Sequence, residues 1–322
     1  MGSARQGQIT RHGLFADIRG DPSSPALLFL HGGPGQGCYD FMAIQGELLS
    51  RSVLLIGLDQ RGVDRSAPLP PGATLTVADV VADCEEVQQE LGIDRWAVLG
   101  QSSGGGLALR YAAGYPAAVT GAIFENPVWD MASSTRAALV PLAAMLADRG
   151  KDAEAQAART AAAATPAPGE QPGAGEQPAA ALRAAYLTAL SALGADCEQF
   201  FIPNAATRER LADLRRAHEA RERGSNEAGD ESSKRHHVAF TADQAFVESM
   251  LGLLPRLTAP ALLITGGRDP LTAPEQRAAF RDASPRNQHV EFAKAGHFVH
   301  AEDPDQYAQC VMKFVRSLTE GR

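Results

Sequence analysis

The chain has 322 residues, of which 44% are hydrophobic and 21% are charged, and its formal net charge is -8. This composition is typical of a globular protein with a sizeable core, and the acidic balance argues against a nucleic-acid partner. No apolar run approaches the roughly 18 residues of a membrane span, and residues 1–13 lack the apolar core of a signal peptide. We therefore expect a cytoplasmic protein without a membrane contact.

Cysteine and histidine spacing gives no metal site. The four cysteines, at positions 38, 84, 197 and 310, are widely scattered and form no CxxC pair. We expect reduced thiols and no zinc. His236 and His237 lie in a polar stretch and are expected to be exposed side chains.

Short runs rich in leucine and β-branched residues alternate with helix-favouring stretches, which is the pattern of a mostly parallel sheet flanked by helices. Residues 8–20 are expected to form an antiparallel hairpin. Further strands are predicted at residues 26–30, 53–58, 95–100, 121–125, 261–265 and 289–293, and helices around residues 40–50, 76–91, 103–115, 273–282 and 304–318. The sequence therefore predicts an α/β fold.

The alternation stops between about Pro127 and Pro255, where an alanine-rich, helix-favouring stretch contains no strand-like run. Because this stretch is too long for an ordinary crossover, residues 127–255 are predicted to be a helical cap inserted between two strands of a core formed by residues 1–126 and 256–322. Within it, residues 165–180 are rich in proline and glycine and predict a mobile loop. Residues 206–237 predict a charged helix that ends in a polar linker past Gly224.

Two adjacent serines precede three glycines in "LGQSSGGGLALRYA", residues 99–112. A serine nucleophile at a strained strand-to-helix turn needs small residues two positions away on each side. Ser102 has glycine at both positions, whereas Ser103 has the large Gln101 at one of them. Ser102 is therefore the candidate nucleophile.

Three further motifs follow predicted strands, where open α/β sheets place their ligands. The string His31-Gly32-Gly33-Pro34-Gly35 predicts a loop whose backbone approaches a ligand, so that the amides of Gly33 and Ser103 could form an oxyanion hole. Asp269 follows one strand and His297 follows the last.

Together these residues give the order Ser, Asp, His expected for this type of nucleophilic site. His297 would accept the proton of Ser102 and Asp269 would orient His297, so the chemistry needs neither a metal nor another cofactor. Glu125, at the end of the strand before the insertion, is the rival acid. His300 is a less suitable base.

At these residues the chain resembles the α/β-hydrolase superfamily, and within it the proline iminopeptidase-like branch. The resemblance rests on the motifs above and on "LDQRGVDRS", residues 58–66, and covers residues 10–126 and 256–318. It implies a helical cap over a serine-hydrolase site and the release of N-terminal residues from short peptides, or cleavage of related amides and esters. The chain departs from the family pattern at Ser103, where a bulky residue is common, and at Asp64, where a glycine is expected.

The resemblance also implies acidic cap residues that hold the free amine of the substrate, and no matching local motif stands between residues 130 and 250. Asp130, Glu198 and Glu248 are possible substitutes. Apolar candidates for a pocket lining are Trp129, Met131, Phe200, Phe201, Phe246 and Met250. Gly32, Glu125, Trp129 and Glu248 are the residues predicted to bind substrate.

We therefore predict a serine hydrolase that cleaves an amide, ester or lactone of a small molecule or short peptide. Two alternatives remain open at this point, namely a carbon–carbon bond hydrolase with the same three residues and a non-catalytic ligand-binding homologue. The sequence sets no oligomeric state.

Overall fold

The computed structural model describes residues 6–164, 178–221 and 226–320. Eight strands form one sheet in the order β1-β2-β4-β3-β5-β6-β7-β8. The strands are β1 (Gln6–Ile9), β2 (Phe15–Arg19), β3 (Ala26–Leu30), β4 (Leu54–Asp59), β5 (Trp96–Gln101), β6 (Val119–Glu125), β7 (Ala261–Gly266) and β8 (Gln288–Phe292).

Strand β1 pairs antiparallel with β2, and β2 pairs antiparallel with β4. All other neighbouring strands are parallel. The predicted N-terminal hairpin and the six predicted strands are confirmed. Because β3 to β8 run in one direction, their carboxyl ends meet at one edge of the sheet, and the loops at that edge carry the candidate residues.

Thirteen α-helices lie in the described residues. They are α1 (Tyr39–Leu49), α2 (Val77–Glu90), α3 (Ser103–Gly114), α4 (Met131–Ala147), α5 (Asp152–Ala164), α6 (Pro178–Leu193), α7 (Cys197–Phe201), α8 (Ala205–Arg221), α9 (Asn226–Ala242), α10 (Gln244–Val247), α11 (Pro274–Ala283), α12 (Val299–Glu302) and α13 (Pro304–Glu320). Helices α1, α2, α3, α11 and α13 are the five predicted outside the insertion, and α8 is the charged helix predicted from residue 206.

Both faces of the sheet are covered. Neighbouring residues of β3 point to opposite faces and join different apolar clusters. Leu28 packs in a cluster with residues of α2 and α3. Phe29 packs in a cluster with residues of α1 and α13. Strands buried on both faces need continuous apolar runs, which explains why the runs of the sequence locate them well.

Helices α4 to α10 lie between β6 and β7, and no strand interrupts them in the part of this segment that the structure describes. Helices α4, α5 and α6 share an apolar cluster of their own, which includes Leu142 and Leu182. Most of the predicted loop at 165–180 lies outside the described residues.

The polar linker predicted past Gly224 is wrong, because residues 226–242 form α9. Ser232, His236 and Phe240 are spaced four residues apart and are all buried, so one face of this polar helix packs against the rest of the molecule. The expectation of an exposed His236 is wrong for the same reason.

Candidate active site

Ser102 lies in the turn between β5 and α3 with φ +55° and ψ -123°, a backbone conformation that a non-glycine residue rarely adopts. Its amide donates to the carbonyl of Glu125 over 3.0 Å. A Cβ atom at Gly100 would stand 2.2 Å from the carbonyl oxygen of Gly104, so the two flanking glycines let the strand and the helix approach closely. The turn thus has the strained geometry expected of a nucleophile-bearing elbow.

The glycine-rich loop after β3 packs against this turn. A Cβ atom at Gly32 would lie 2.8 Å from Cβ of Ser102, and one at Gly104 would lie 2.2 Å from the carbonyl oxygen of Leu30. Gly33 has φ +117°. Ser103 is the first residue of α3, so its amide has no acceptor within the helix. The loop and the helix start therefore bring the predicted oxyanion-hole segments together.

Hydrogen bonds between His31 and Gln60 hold that loop in place. The Gln60 amide donates to Nε2 of His31 over 3.2 Å, and the Gln60 side chain donates to the His31 carbonyl over 2.9 Å. Burial lowers the pKa of His31. The neutral imidazole thus acts as an acceptor within a fixed loop.

His297 and Asp269 form a buried pair at the same edge of the sheet. Nδ1 of His297 lies 2.7 Å from Oδ1 of Asp269, and the two side chains are 3% and 1% exposed. The amides of Leu271 and Thr272 donate to the carboxylate over 3.2 and 2.8 Å. Burial acts to raise the pKa of Asp269, but the neighbouring His297 and the hydrogen bonds from His297 and Thr272 outweigh it, so that pKa is lowered.

The rival acid Glu125 contacts a different histidine. Its carboxylate accepts from the amide of His300 over 3.0 Å, lies 2.9 Å from Nδ1 of the same residue, and accepts from the hydroxyl of Tyr307 over 2.9 Å. Glu125 is fully buried. The structure therefore pairs His297 with Asp269, while Glu125 and His300 form a separate buried pair.

Several contacts place the His297 loop beside the Ser102 turn. The side chain of Gln101 donates to the His297 carbonyl over 3.4 Å, and Nδ2 of Asn126 donates to the same carbonyl over 3.0 Å. The amide of His297 donates to the carbonyl of Phe201 over 2.7 Å. Sequence reasoning missed Asn126, for which the only signal was a lone asparagine after a strand.

The other predicted substrate contacts are spread over the molecule. Trp129 is fully buried and stacks on Phe280 with ring centroids 5.6 Å apart, and its contact with substrate stays a prediction. Glu125 is paired with His300, and its predicted contact with substrate likewise stays a prediction. Glu248 is exposed.

The two other acidic candidates already have partners. Asp130 caps α4 by accepting from the amide of Ser133 over 2.7 Å. Glu198 accepts from the guanidinium of Arg215 over 2.8 Å. Neither therefore presents a free carboxylate to a substrate amine in this conformation.

A narrow apolar crevice opens beside Ser103, with a volume of about 10 Å³, roughly the space for one water molecule. Three of the predicted lining residues, Met131, Phe246 and Met250, lie on its wall.

The departure at Asp64 has a local explanation. Its φ is +47°, in the left-handed region that glycine adopts most readily and aspartate tolerates. Its carboxylate lies 2.8 Å from Nε2 of His218 in α8. Asp64 thus connects the core to the inserted helices.

Within the described ranges, no group of three or more His, Cys, Asp or Glu side chains is placed to hold a metal ion. Nor is any helix of that part of the chain long and apolar enough to cross a bilayer.

Comparison with known proteins agrees with this architecture. A family model described as the alpha/beta hydrolase fold matches residues 25–304. A proline iminopeptidase of Xanthomonas citri is 43% identical over 103 residues, which are 32% of this chain and 32% of that protein. The chain thus spans about a third of the length of the curated relatives it matches.

Two solved structures resemble nearly the whole chain. The proline iminopeptidase of Mycobacterium smegmatis has a TM-score of 0.69 at 23% identity and covers 98% of both chains. The 2-hydroxy-6-oxo-6-phenylhexa-2,4-dienoate hydrolase of Rhodococcus sp. strain RHA1 has a TM-score of 0.67 at 18% identity, covering 98% of this chain and 99% of that one. At such identities these likenesses show the fold. The family match over residues 25–304 shows that this chain belongs to the α/β-hydrolase fold family.

Proposed function

We propose that the protein is a serine hydrolase that cleaves amides, esters or lactones of small molecules or short peptides through an acyl-enzyme. The observation that carries the proposal is the buried His297–Asp269 pair, 2.7 Å apart, at the sheet edge where Ser102 occupies a strained turn. A serine hydroxyl is a weak nucleophile by itself and needs such a base.

In the first half of the reaction, Nε2 of His297 accepts the proton of Ser102 while Oγ attacks the carbonyl carbon of the substrate. Asp269 stabilises the imidazolium that forms. The amides of Gly33 and Ser103 donate to the oxyanion of the tetrahedral intermediate. His297 then gives its proton to the leaving nitrogen or oxygen, and the acyl group remains on Ser102.

In the second half, a water molecule attacks the acyl ester and passes a proton to His297. The second tetrahedral intermediate collapses, the carboxylic acid leaves, and Ser102 takes back its proton. No metal or organic cofactor enters either half.

Residues 127–255 serve as a cap in this proposal. The carbonyl of Phe201 accepts from the amide of His297, and residues of the insertion line the crevice beside Ser103. An acyl group that occupied this crevice would displace Met131, Phe246 or Met250, because the crevice has room for about one water molecule.

The placement of the acidic candidates supports the proposed substrate class. A site selective for a free α-ammonium needs a buried carboxylate to pair with it, which an N-blocked substrate would leave unpaired. Glu125 is paired with His300, Glu198 is paired with Arg215, and Glu248 is exposed. These placements favour acyl esters, lactones and N-blocked amides as substrates at least as good as free-amine prolyl compounds.

The test is kcat/KM for prolyl 2-naphthylamide, for its N-acetyl derivative and for a series of p-nitrophenyl esters with acyl chains of increasing length. We expect the acetylated amide and the esters to match or exceed the free amine. A free-amine preference above roughly a hundredfold, about 2.7 kcal/mol, that disappears in Glu198→Gln or Glu248→Gln would contradict this substrate class. Hydrolysis of none of these compounds, by a folded protein, would count against the hydrolase itself.

A further inference from the structure

A buried asparagine contacts the backbone of both loops that carry the base and its acid. Asn126 follows β6 and is fully buried. Its Oδ1 accepts from the amide of Gly266, at the end of β7, over 2.9 Å. Its Nδ2 donates to the carbonyl oxygens of Gly296 and His297, each over 3.0 Å. The side-chain amide therefore uses its acceptor and both donors on these two loops.

The backbone of the same short segment reaches the third loop. The amide of Asn126 donates to the carbonyl of Ile264 over 2.9 Å, and the carbonyl of the preceding residue, Glu125, accepts from the amide of Ser102 over 3.0 Å. Asn126 has φ +40°, a left-handed conformation that asparagine tolerates better than most residues. Residues 125 and 126 thus touch the backbone of the nucleophile turn, the acid-bearing strand and the base-bearing loop.

The His297 carbonyl depends mainly on Asn126 for its position. Its other side-chain donor, Gln101, stands at 3.4 Å, whereas Asn126 stands at 3.0 Å. A backbone that moves at His297 carries the imidazole with it, and a displacement of about 1 Å in a catalytic group can cost roughly a hundredfold in rate.

We propose that Asn126 is a positioning residue that keeps His297 and the Asp269 turn aligned with Ser102. The inference rests on the proposed function, because it gives Asn126 no contact with substrate and acts only through the base and its acid.

Two substitutions separate the side-chain hydrogen bonds from the backbone conformation. Asn126→Gly keeps the left-handed φ at no steric cost and removes all three bonds. Asn126→Asp keeps the size and the acceptor to Gly266 but turns an oxygen toward two carbonyl oxygens, so it loses the donors unless it is protonated. Asn287→Asp is the matched control, because the Asn287 side chain donates over 2.7 Å to the carbonyl of Phe280, at a partly buried position outside the site.

The first measurement is the rate of covalent labelling by an alkyl fluorophosphonate, resolved into the maximal rate and the half-saturating concentration. We expect Asn126→Gly to lower the maximal rate by roughly a hundredfold and to change the half-saturating concentration by less than about threefold, because probe binding needs no aligned imidazole. For Asn126→Asp, the rate relative to wild type should rise as the pH falls, since a protonated carboxyl can donate one of the two lost bonds. Asn287→Asp should label like wild type.

The second measurement does not depend on activity. The proton between His297 and Asp269 should give a downfield ¹H NMR signal in the wild-type protein, assigned by its loss in His297→Ala. We expect the signal to broaden or disappear in Asn126→Gly and to persist in Asn287→Asp.

A folded Asn126→Gly protein that keeps both the signal and the labelling rate would overturn the inference. A wild-type protein that the probe does not label would overturn the proposed function instead, and the NMR comparison would still decide whether Asn126 positions His297.

Discussion

Ser102 and Ser103 are neighbours with different expected roles. Ser102 presents its hydroxyl from a residue with φ +55°, whereas Ser103 begins α3 and offers its backbone amide. The distinction follows from the backbone, because the hydroxyl of residue 103 is not needed for an amide to donate.

We predict that Ser102→Ala and His297→Ala each lower kcat by roughly 10⁴- to 10⁶-fold, and that the double variant is little worse, because the two residues act as a unit. Ser103→Ala should keep kcat within about tenfold of wild type. Steady-state kinetics on the best ester of the p-nitrophenyl series measures all four proteins. Additive losses in the double variant would show that the two residues act independently.

A residue of the candidate site could be predicted from the sequence when its type and spacing have a single physical explanation. The glycines at positions 100 and 104 identified Ser102 because any side chain there meets backbone. The sequence already favoured Asp269 over Glu125 as the acid, and the structure pairs Asp269 with His297 and Glu125 with His300. Asn126 could not be singled out from a lone asparagine after a strand, because its side chain contacts residues 140 and 170 positions away.

At the scale of elements, the docking of α3 on the loop after β3 sets the geometry of the oxyanion hole. A Cβ atom at Gly104 would meet the backbone oxygens of Leu30 and His31 at 2.2 and 2.6 Å. Neither oxygen can move without shifting the strand or the loop, so only glycine permits this approach.

We predict that Gly104→Ala destabilises the protein by about 1–3 kcal/mol, as overpacking does, and lowers kcat further by moving the Ser103 amide. Gly114→Ala is the matched control at the other end of α3, where an added Cβ meets nothing within 4 Å and should leave the stability equal or raise it by up to about 1 kcal/mol. Urea denaturation and ester kinetics measure both effects. An unchanged Gly104→Ala protein would refute the close contact between helix and loop.

How well a helix or strand could be predicted depended on how clearly its buried residues show in the sequence. Strands such as β3 and β7 were predicted to within about a residue of their ends because burial on both faces demands uninterrupted apolar residues. Helix α9 was missed because its polar composition hides the buried face formed by Ser232, His236 and Phe240, a four-residue spacing that a helical wheel would have revealed.

At the scale of the whole molecule, that face of α9 joins the inserted helices to the core. The hydroxyl of Ser232 donates to the carbonyl of Gly62 over 2.7 Å, and Nδ1 of His236 lies 2.7 Å from the carbonyl oxygen of Arg61. Burial lowers the pKa of His236 to about 4. The contact between insertion and core therefore needs this imidazole in its neutral form.

This pKa predicts how stability depends on pH. His236 has a pKa near 6.5 in the unfolded chain and about 4 in the folded protein. The contribution of the neutral imidazole to the free energy of unfolding is therefore fully present above pH 6.5 and is lost as the pH falls toward 4. Between pH 7.5 and pH 5 the loss should be about 2 kcal/mol. Asp269 adds little in this interval, because an aspartate carboxyl is already largely ionised at pH 5 in the unfolded chain and its pKa is lower still in the folded protein.

The measurement is the free energy of unfolding in urea at pH 7.5 and pH 5 for the wild type and for His236→Asn, whose amide can replace the Nδ1 donor without titrating. Between pH 7.5 and pH 5, we expect the free energy of unfolding to fall by about 2 kcal/mol less in the variant than in the wild type. His237→Asn, at the exposed neighbouring position, should retain that dependence. An equal change in the free energy of unfolding between the two pH values for wild type and His236→Asn would contradict a buried, neutral imidazole at this position.

The proposed mechanism requires that His297, held by Asp269, activates Ser102. The most direct test is to react the protein with an alkyl fluorophosphonate and to locate the adduct by peptide mass spectrometry. We predict one adduct, on Ser102, which is lost in Ser102→Ala, forms much more slowly in His297→Ala and is retained in Ser103→Ala. An adduct on Ser103, or labelling of Ser102 at an unchanged rate without His297, would contradict it.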